Sequence, residues 1–308
     1  MKLYLAPLQS YTTAFYRKAH ATVYGKMDKY FTPFFEDNSK GLNSLIYTPE
    51  LEPWLNDGLN VVPQVASNQG KFVIGFAREM KKRGFSEINI NMGCPFPMLV
   101  KRKRGGGLLE YPELVQRLLD EYFSSDTPVK LSVKLRIGNQ HPSEGETIIN
   151  LLNNYPLEEI IIHPRLVTQK YTGLPDWKQF NKLLQLSKHS IIANGDINGI
   201  DDAIAITQKH PQSTGLMLGR GILCKPNLAS EIKHQPTNSN NLLLFHEHYI
   251  NLLNKHYNNW AQSFNHLQTF WQYPLQNTIQ HKRLFRKLKK HNKPDTYQHW
   301  LKEVSALY

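Results

Sequence analysis

Short apolar segments recur along the chain from Lys2 to Gly219, and most are followed by a segment whose apolar positions have helical spacing. Eight of them have the length and residue types of β-strands. These predicted strands are Lys2–Leu8, Tyr30–Phe35, Asn60–Ala66, Glu87–Asn91, Val129–Ile137, Glu159–His163, Ser190–Asn194 and Gly215–Gly219. The predicted helices between them include Gln69–Arg83, Pro112–Phe123, Glu144–Tyr155, Trp177–Ser187 and Asp201–Lys209.

Eight strand–helix units over roughly 235 residues predict an α/β protein with a (β/α)8 TIM barrel, a fold that typically takes about 250 residues. A doubly wound open sheet is the alternative, but such a sheet would not ordinarily place polar residues at so many strand ends. Barrel enzymes build their sites at the carboxyl ends of the strands. We therefore expect the functional residues of this chain at the carboxyl ends of its strands.

The pattern changes near residue 235. The segment Gln235–Asn241 has the composition of a linker, and beyond it apolar residues such as Phe245, Tyr249 and Trp271 fall on helical spacing. We predict two domains, a barrel over residues 1–235 and a small helical domain over residues 236–308. The aromatic residues of the second domain are expected to form its core.

Composition narrows the class of protein. No apolar run approaches the roughly 20 residues of a membrane helix, so we predict a cytoplasmic protein with no membrane partner. The two cysteines, Cys94 and Cys224, have neither CxxC spacing nor histidines at ligand spacing. A disulfide framework and a zinc site are therefore not expected, and we predict no metal.

Charge points to an acidic partner. The net charge is +12, which favours nucleic acid over the simpler interpretation of a basic surface that only aids solubility. From residue 236 onward nine basic residues face three acidic ones, so this part carries +6. Its most basic segment, His281–Lys293, contains six Lys or Arg between Lys282 and Lys290 and no acid. A solvated helix face usually mixes both signs.

One segment combines a thiol with a basic loop. The strand Glu87–Asn91 ends at Gly93 and Pro95, which leaves Cys94 on a turn. Four cations, Lys101 to Arg104, and three glycines, Gly105 to Gly107, follow. We predict a mobile, positively charged flap above the thiol, suited to an anionic polymer.

Two glycine motifs follow the last two strands. They are Ala193–Ile197 (ANGDI) and Leu218–Ile222 (LGRGI), and barrels often bind phosphate between these loops. Lys134 lies at a central strand, where a cation suits the N1–C2 edge of a flavin. A Schiff-base lysine or an ion pair are the alternatives for Lys134, but no acidic residue ends an adjacent strand.

The chain resembles the tRNA-dihydrouridine synthases, flavoproteins that reduce uridines in tRNA. The resemblance covers nearly the whole barrel and is carried by seven segments. They are LAPL at 5–8, NVVPQVASNQG at 60–70, INMGCP at 90–95 with the later GGG, SVKLRIG at 132–138, IIHPRLVTQKYTG at 161–173, IIANGDI at 191–197 and LMLGRGIL at 216–223.

The resemblance implies roles for particular residues. It implies that FMN is bound by Pro7, Leu8, Gln64, Lys134, His163, Asn194, Gly195, Asp196, Gly219 and Arg220. Cys94 matches the family's proton donor. The residues expected to bind the tRNA are Asn91, Arg136, Arg165, Tyr171, Lys101, Arg102, Lys103, Arg104, Lys282, Arg283 and Arg286.

The implied reaction begins with NADPH reducing FMN, and hydride then passes to C6 of uracil to give dihydrouridine. Two alternatives remain open: an FMN barrel that reduces a small free substrate, and a tRNA-binding or tRNA-folding module on an idle flavin barrel. The +6 helical domain argues against the first, and the retention of Cys94, Lys134 and His163 argues against the second. No obligate protein partner is implied.

Overall fold

A computed structural model describes residues 1–37, 41–42, 47–127, 129–235 and 241–307. Its strands, all paired in parallel, are numbered in chain order. They are β1 Lys2–Leu5, β2 Lys29–Phe31, β3 Phe35–Glu36, β4 Val61–Val62, β5 Gln64–Ala66, β6 Glu87–Met92, β7 Lys130–Arg136, β8 Ile160–His163, β9 Ile191–Asn194 and β10 Gly215–Leu218.

Helices surround the strands and then continue alone. The helices of the barrel region are α1 Ala14–Tyr24, α2 Pro53–Asn56, α3 Gly70–Lys82, α4 Pro97–Lys101, α5 Pro112–Phe123, α6 Pro142–Leu152, α7 Trp177–Leu186, α8 Ile200–Lys209, α9 Arg220–Cys224 and α10 Leu228–Ile232. Those that follow are α11 Asn241–His256, α12 Trp260–Trp271, α13 His281–Leu288 and α14 Pro294–Ser305. Short 3-10 turns span Pro49–Leu51, Gly105–Glu110 and Pro274–Asn277.

The sheet closes into a barrel. Its hydrogen-bonded order begins with β3 and β5 and ends with β2 and β4. Only Pro63 separates β4, at one end of this order, from β5, near the other end, so β4 and β5 are one strand interrupted by a proline. In the same way, β2 and β3 are two parts of one interrupted strand. Proline has no N–H to donate to the ladder, which explains the break. The described strands thus form eight parallel units in a ring, which confirms the predicted (β/α)8 barrel and excludes an open sheet.

All eight predicted strands are present. The first was predicted to reach Leu8 but ends at Leu5, because Pro7 cannot continue the ladder. The predicted helix Pro112–Phe123 has the observed bounds. The other four predicted helices begin within two residues, and end within three, of their observed bounds.

The inside of the barrel has an apolar wall and a closed charged floor. The apolar wall is one cluster of buried residues: Tyr4, Ala6, Phe31, Val62, Ile161, Ile192 and Met217. At the amino ends of the strands the Lys29 ammonium binds Glu87 (2.6 Å) and Glu159 (2.9 Å), and the Tyr4 hydroxyl donates to Glu159 (2.7 Å). Salt bridges and hydrogen bonds therefore fill the bottom of the barrel, which leaves the carboxyl ends as its mouth.

The helices beyond α10 pack on the barrel through aromatic rings. Phe245 of α11 meets Tyr16 of α1 edge to face, with ring centroids 5.1 Å apart. Within the helical part, the Tyr297 hydroxyl bonds to His246 (2.6 Å) and accepts from Trp271 (2.9 Å). These residues are buried, so the predicted aromatic core is confirmed.

The two-domain division at residues 1–235 and 236–308 remains a prediction. Residues 236–240 of the predicted linker lie outside the described residues. Across the ranges that the structure describes, none of the helices combines the length and the apolar character needed to cross a bilayer.

Candidate functional site

Cys94 lies on the turn that follows β6. The side-chain oxygen of Asn91 accepts hydrogen bonds from the backbone N–H groups of Gly93 (3.0 Å) and Cys94 (2.9 Å). This cap ends the strand and holds the half-buried thiol at the barrel mouth. Burial raises the pKa of Cys94, although Arg136 and Lys134 act in the opposite direction. The thiol is therefore protonated near neutral pH and can donate a proton.

The glycine run after Cys94 is a rigid support. Gly105, Gly106 and Gly107 are buried in a 3-10 turn, and the N–H of Gly106 donates to the Cys94 carbonyl oxygen (3.0 Å). A Cβ on Gly106 would lie 2.4 Å from Cγ2 of Val167. The prediction of a freely bending loop here is wrong, because the glycines are needed for close packing and not for mobility.

The four cations before the glycines are only partly available to a ligand. Arg102 pairs with Glu36 (2.9 Å), and Arg104 pairs with Asp37 (3.0 Å). Lys103 lies 4.0 Å from the ring centroid of Tyr111. Lys101, the last residue of α4, is exposed. The two arginine contacts tie the basic segment to the carboxyl end of β3.

Cations dominate the mouth beside Cys94. Lys134 on β7 is the register partner of Asn91 on β6. No carboxylate within the described ranges forms an ion pair with Lys134. Burial and the nearby Arg136 lower the pKa of Lys134 from 10.5 to about 7. The ion-pair alternative for this lysine is therefore not supported. An anionic ligand bound next to Lys134 would favour the charged form of this lysine.

His163, the last residue of β8, has a defined tautomer. Arg165 lies with Nη1 3.2 Å from Nε2 of His163. A guanidinium group only donates, so Nε2 accepts, and the neutral ring carries its proton on Nδ1. Burial and then the charge of Arg136 hold the pKa of His163 well below its usual value, so the ring stays neutral. His163 can therefore donate one N–H to a ligand.

Asp196 joins two arginines. Its carboxylate accepts from both terminal nitrogens of Arg165 (2.8 and 2.5 Å) and from Arg220 (3.1 Å). Burial alone would raise the pKa of Asp196, but the two arginines lower it. Asp196 also adopts a left-handed backbone conformation, with φ of 44°. The Arg165 Nε atom is buried and has no hydrogen-bond partner among the described residues.

A cleft of about 490 Å³ opens between the loops after β8, β9 and β10. Its walls contain most of the residues predicted to bind a phosphorylated cofactor. They are Leu8, His163, Asn194, Gly195, Asp196, Gly219 and Arg220, together with Tyr171. Gly195 has φ of 153°, and a Cβ there would lie 3.0 Å from His163, so only glycine fits. The two glycine motifs are thus brought together as predicted.

Tyr171 stands over this cleft and is 48% exposed. The guanidinium carbons of Arg220 and Arg136 lie 4.6 and 5.4 Å from its ring centroid. Arg136 is anchored by a hydrogen bond to the Leu166 carbonyl oxygen (2.8 Å). A flat ring between two cations offers a stacking surface next to an anion site.

A second, more open cavity lies on the other side of Cys94. It has a volume of about 1210 Å³, and four of its ten lining residues are aromatic residues that the sequence analysis missed. They are Phe34, Phe35, Tyr47 and Phe96, of which Tyr47 is 85% and Phe96 53% exposed. The Phe34–Phe35 pair at the end of a predicted strand could have indicated this cavity from the sequence. Tyr47 and Phe96 lie in loops, where no sequence pattern indicates a cavity.

The basic helix α13 lies apart from these cavities. Leu284 and Leu288 are buried, as predicted. Arg283 and Lys287 pair with Glu303 of α14 (3.1 and 2.8 Å), whereas Lys282 and Arg286 form no ion pair within the described residues. Of the residues predicted to bind the cofactor, Pro7, Gln64 and Lys134 do not line the 490 Å³ cleft; Gln64 instead bonds to Asn91 (2.7 Å).

Comparison with known proteins gives a match over nearly the whole chain. The family model described as dihydrouridine synthase (Dus) matches residues 4–307. The tRNA-dihydrouridine(16) synthase of Vibrio parahaemolyticus is 31% identical over 168 residues, which cover 52% of this chain and 49% of that protein. The tRNA-dihydrouridine synthase B of Escherichia coli is 29% identical over 172 residues, covering 56% and 53%. The matched region thus spans about half the length of these relatives.

Solved structures support the fold. The old yellow enzyme homologue of Zymomonas mobilis superposes with a TM-score of 0.55 at 13% identity, over 79% of this chain and 92% of that one. At this identity the likeness concerns the barrel alone. It agrees with the ring of eight parallel strands described above.

Proposed function

Because the chain belongs to the dihydrouridine synthase family, we propose that it reduces the C5–C6 double bond of a uridine in tRNA. FMN is the proposed cofactor, NADPH the reductant and Cys94 the proton donor. The observation that carries the proposal is the position of the Cys94 thiol near Lys134 and Arg136, at the same barrel mouth as the cleft with the two glycine turns. Neither feature alone specifies a reaction, but together they match hydride and proton addition to one ring.

The polar groups of the cleft suit the phosphate of a flavin nucleotide. Gly195 and Gly219 allow close approach of a phosphate, and Arg220 offers a charge-assisted hydrogen bond. Lys134 and the Nδ1–H of His163 would face the ring system. When bound, the flavin supplies the hydride that is added to C6 of uracil.

The residues of the chain supply the proton. Addition of hydride to C6 leaves negative charge at C5 and O4 of the uracil ring. Transfer of the Sγ proton of Cys94 to C5 completes dihydrouridine and leaves a thiolate. Arg136 and Lys134, which already act to lower the pKa of Cys94, stabilise that thiolate. The thiolate then regains its proton from solvent through the open mouth.

Delivery of the uridine requires a flipped base. Taking a base out of its stack costs on the order of a few kcal/mol. The aromatic cavity beside Cys94 provides surfaces on which unstacked bases can lie, each such contact being worth roughly 1–3 kcal/mol. Lys101 and the free cations of α13 would contact phosphates.

The proposal predicts a separation of the two half-reactions in Cys94→Ala. The purified variant should retain flavin absorbance and oxidise NADPH with an artificial acceptor at the wild-type rate, because the thiol takes no part in that step. Formation of dihydrouridine in unmodified tRNA should fall by at least about 100-fold, the usual range for loss of a general acid. Mass spectrometry of digested tRNA under single-turnover conditions measures the product.

Cys224→Ser is the matched control and should keep both activities. Full dihydrouridine formation by Cys94→Ala would exclude Cys94 as the acid. Reduction of a free pyrimidine but not of tRNA by the wild-type protein would favour the small-substrate alternative, and a colourless protein that binds tRNA would favour the binding module.

A further inference from the structure

A chain of buried amides runs through the barrel from Cys94 toward β7. Asn91 donates from Nδ2 to Oε1 of Gln64 (2.7 Å), and Gln64 donates from Nε2 to Oδ1 of Asn89 (2.7 Å). Asn89 in turn donates from Nδ2 to the hydroxyl of Ser132 (2.9 Å). All four side chains are at least nine-tenths buried. They lie on the neighbouring strands β5, β6 and β7.

Backbone groups fix the direction of this chain at its Cys94 end. At the Cys94 end, the Asn91 oxygen must accept from the N–H groups of Gly93 and Cys94. At the other end, the Ser132 hydroxyl donates to the Ile88 carbonyl oxygen (3.4 Å). An amide that turned over between these ends would place N–H against N–H or oxygen against oxygen. In a buried site such a mismatch is costly, so each amide holds the next in one orientation.

The orientation limits what Asn91 can offer to a ligand. Both lone pairs of its oxygen are used by backbone N–H groups, and one hydrogen of Nδ2 is used by Gln64. The capacity that remains is one N–H, so Asn91 can donate to a ligand but not accept from it. The same cap fixes the turn that carries Cys94.

We propose that Asn89 and Ser132 are positioning residues, which set the orientation of Gln64 and Asn91 and thereby the position of the Cys94 thiol. Neither Asn89 nor Ser132 lines either cavity described above, so their effect passes through other side chains. Asn89 is the central residue, because it alone links the β5 member of the chain to the β7 member. The consequence of this role for catalysis rests on the proposed function, whereas its consequence for the thiol does not.

The test compares Asn89→Leu with Asn89→Asp. Leucine fills the space but leaves Gln64 Nε2 without an acceptor, so the cap on the Cys94 turn should loosen. Burial favours the neutral form of an aspartate here, which can accept from Gln64 and donate to Ser132 and so should preserve the chain. The readout is the rate of iodoacetamide alkylation of Cys94 in the purified protein, followed by peptide mass spectrometry. Cys224 in the same molecule is the internal control for general unfolding.

We expect the Cys94 rate in Asn89→Leu to rise about fivefold relative to Cys224, the change that loss of one hydrogen bond of typical net worth would produce. Asn89→Asp should return to the wild-type ratio. Ser132→Ala, a smaller change, should give a smaller rise. Ile192→Val, which removes a methyl group from the barrel wall on β9, a strand not paired with β5, β6 or β7, should leave the ratio unchanged.

An unchanged ratio in both Asn89→Leu and Ser132→Ala, or equal ratios for Asn89→Leu and Asn89→Asp, would overturn the proposal. In dihydrouridine formation, kcat should fall in Asn89→Leu by a larger factor than the rate of NADPH oxidation with an artificial acceptor. If alkylation responds as expected but the wild-type protein forms no dihydrouridine, the positioning role stands and the proposed reaction fails.

Discussion

At the scale of single residues, the main feature of the site is that some of its charged side chains form ion pairs and others do not. Asp196 neutralises part of the charge of Arg165 and Arg220, while Lys134 has no acidic partner in the described chain. The mouth thus carries excess positive charge before any ligand binds. This excess favours a ligand with a phosphate and a ring that becomes anionic, because each charge would then be paired.

The uncompensated charge of Lys134 predicts a pH effect on stability. Its pKa is about 7 in the folded chain and near 10.5 when unfolded, so folding disfavours the charged form. That cost is fully present below pH 7 and is relieved as pH rises from 7 toward 10.5. Between pH 6.5 and 8.5 the flavin-stripped protein should gain roughly 1–2 kcal/mol from this residue.

Urea unfolding at the two pH values measures this gain. Lys134→Met should lack it, so the difference between the wild-type and variant slopes isolates the lysine from other titrating groups. Parallel slopes would mean that Lys134 is not desolvated in the folded protein.

At the scale of elements, the 3-10 turn Gly105–Glu110 connects the β6 turn to the loop after β8. Gly106 donates to the Cys94 carbonyl oxygen and packs against Val167. The turn therefore joins the thiol to the segment that carries Arg165 and Tyr171. A change in the packing of this turn should reach both cavities.

Gly106→Ala should destabilise the fold and displace Cys94. The added methyl group would lie 2.4 Å from Val167, and overpacking of this kind costs about 1–3 kcal/mol. Urea unfolding measures the loss, and dihydrouridine formation should fall more than NADPH oxidation.

Val167→Ala in the same chain should recover part of the stability. Gly75→Ala on α3 is the matched control, since among the described residues its Cβ would meet only Leu42, at an ordinary 3.8 Å. A fully stable and active Gly106→Ala variant would show that the turn can shift without effect on Cys94.

The elements also show what sequence could and could not predict. The spacing of apolar residues and the residue types predicted all eight strands, because each strand is a short apolar segment that forms part of the buried barrel wall. The same local reasoning failed at Gly105–Gly107, because glycine marks mobility and close packing alike. It also treated Arg102 and Arg104 as free, since their partners Glu36 and Asp37 are distant in sequence and come near only in the fold.

At the scale of the whole molecule, basic charge lies on two separate surfaces. One surrounds the barrel mouth, and the other lies on α13 of the helical part. One hydrogen bond joins the two regions: the Asn277 side chain, just before α13, donates to the carbonyl oxygen of Cys224, the last residue of α9 (2.6 Å). Two surfaces of the same sign suit a long polyanion better than a small substrate.

Reversing the free cations of α13 should weaken tRNA binding and reduce its salt dependence. In Lys282→Glu with Arg286→Glu, the slope of log Kd against log salt should fall by about one to two, because two phosphate contacts release fewer counterions. Fluorescence titration of labelled tRNA at several salt concentrations measures this. NADPH oxidation with an artificial acceptor should not change.

A variant with the same charge change on α3, Lys71→Glu with Lys81→Glu, is the matched control and should keep the wild-type slope. Equal slopes for both double variants would remove α13 from the proposed tRNA surface and leave the barrel mouth as the main contact.

The closed floor of the barrel sets the order of events during turnover. Lys29, Glu87, Glu159 and Tyr4 block the amino end with a network of charge and hydrogen bonds, so the inside has one entrance. On the proposed function, the nicotinamide and the flipped uracil must both reach the cofactor through that entrance. We expect them to use the entrance in turn, with the oxidised dinucleotide leaving before the tRNA base enters. The steady-state kinetics should accordingly be of the double-displacement kind, with parallel reciprocal plots and inhibition by an excess of either reactant.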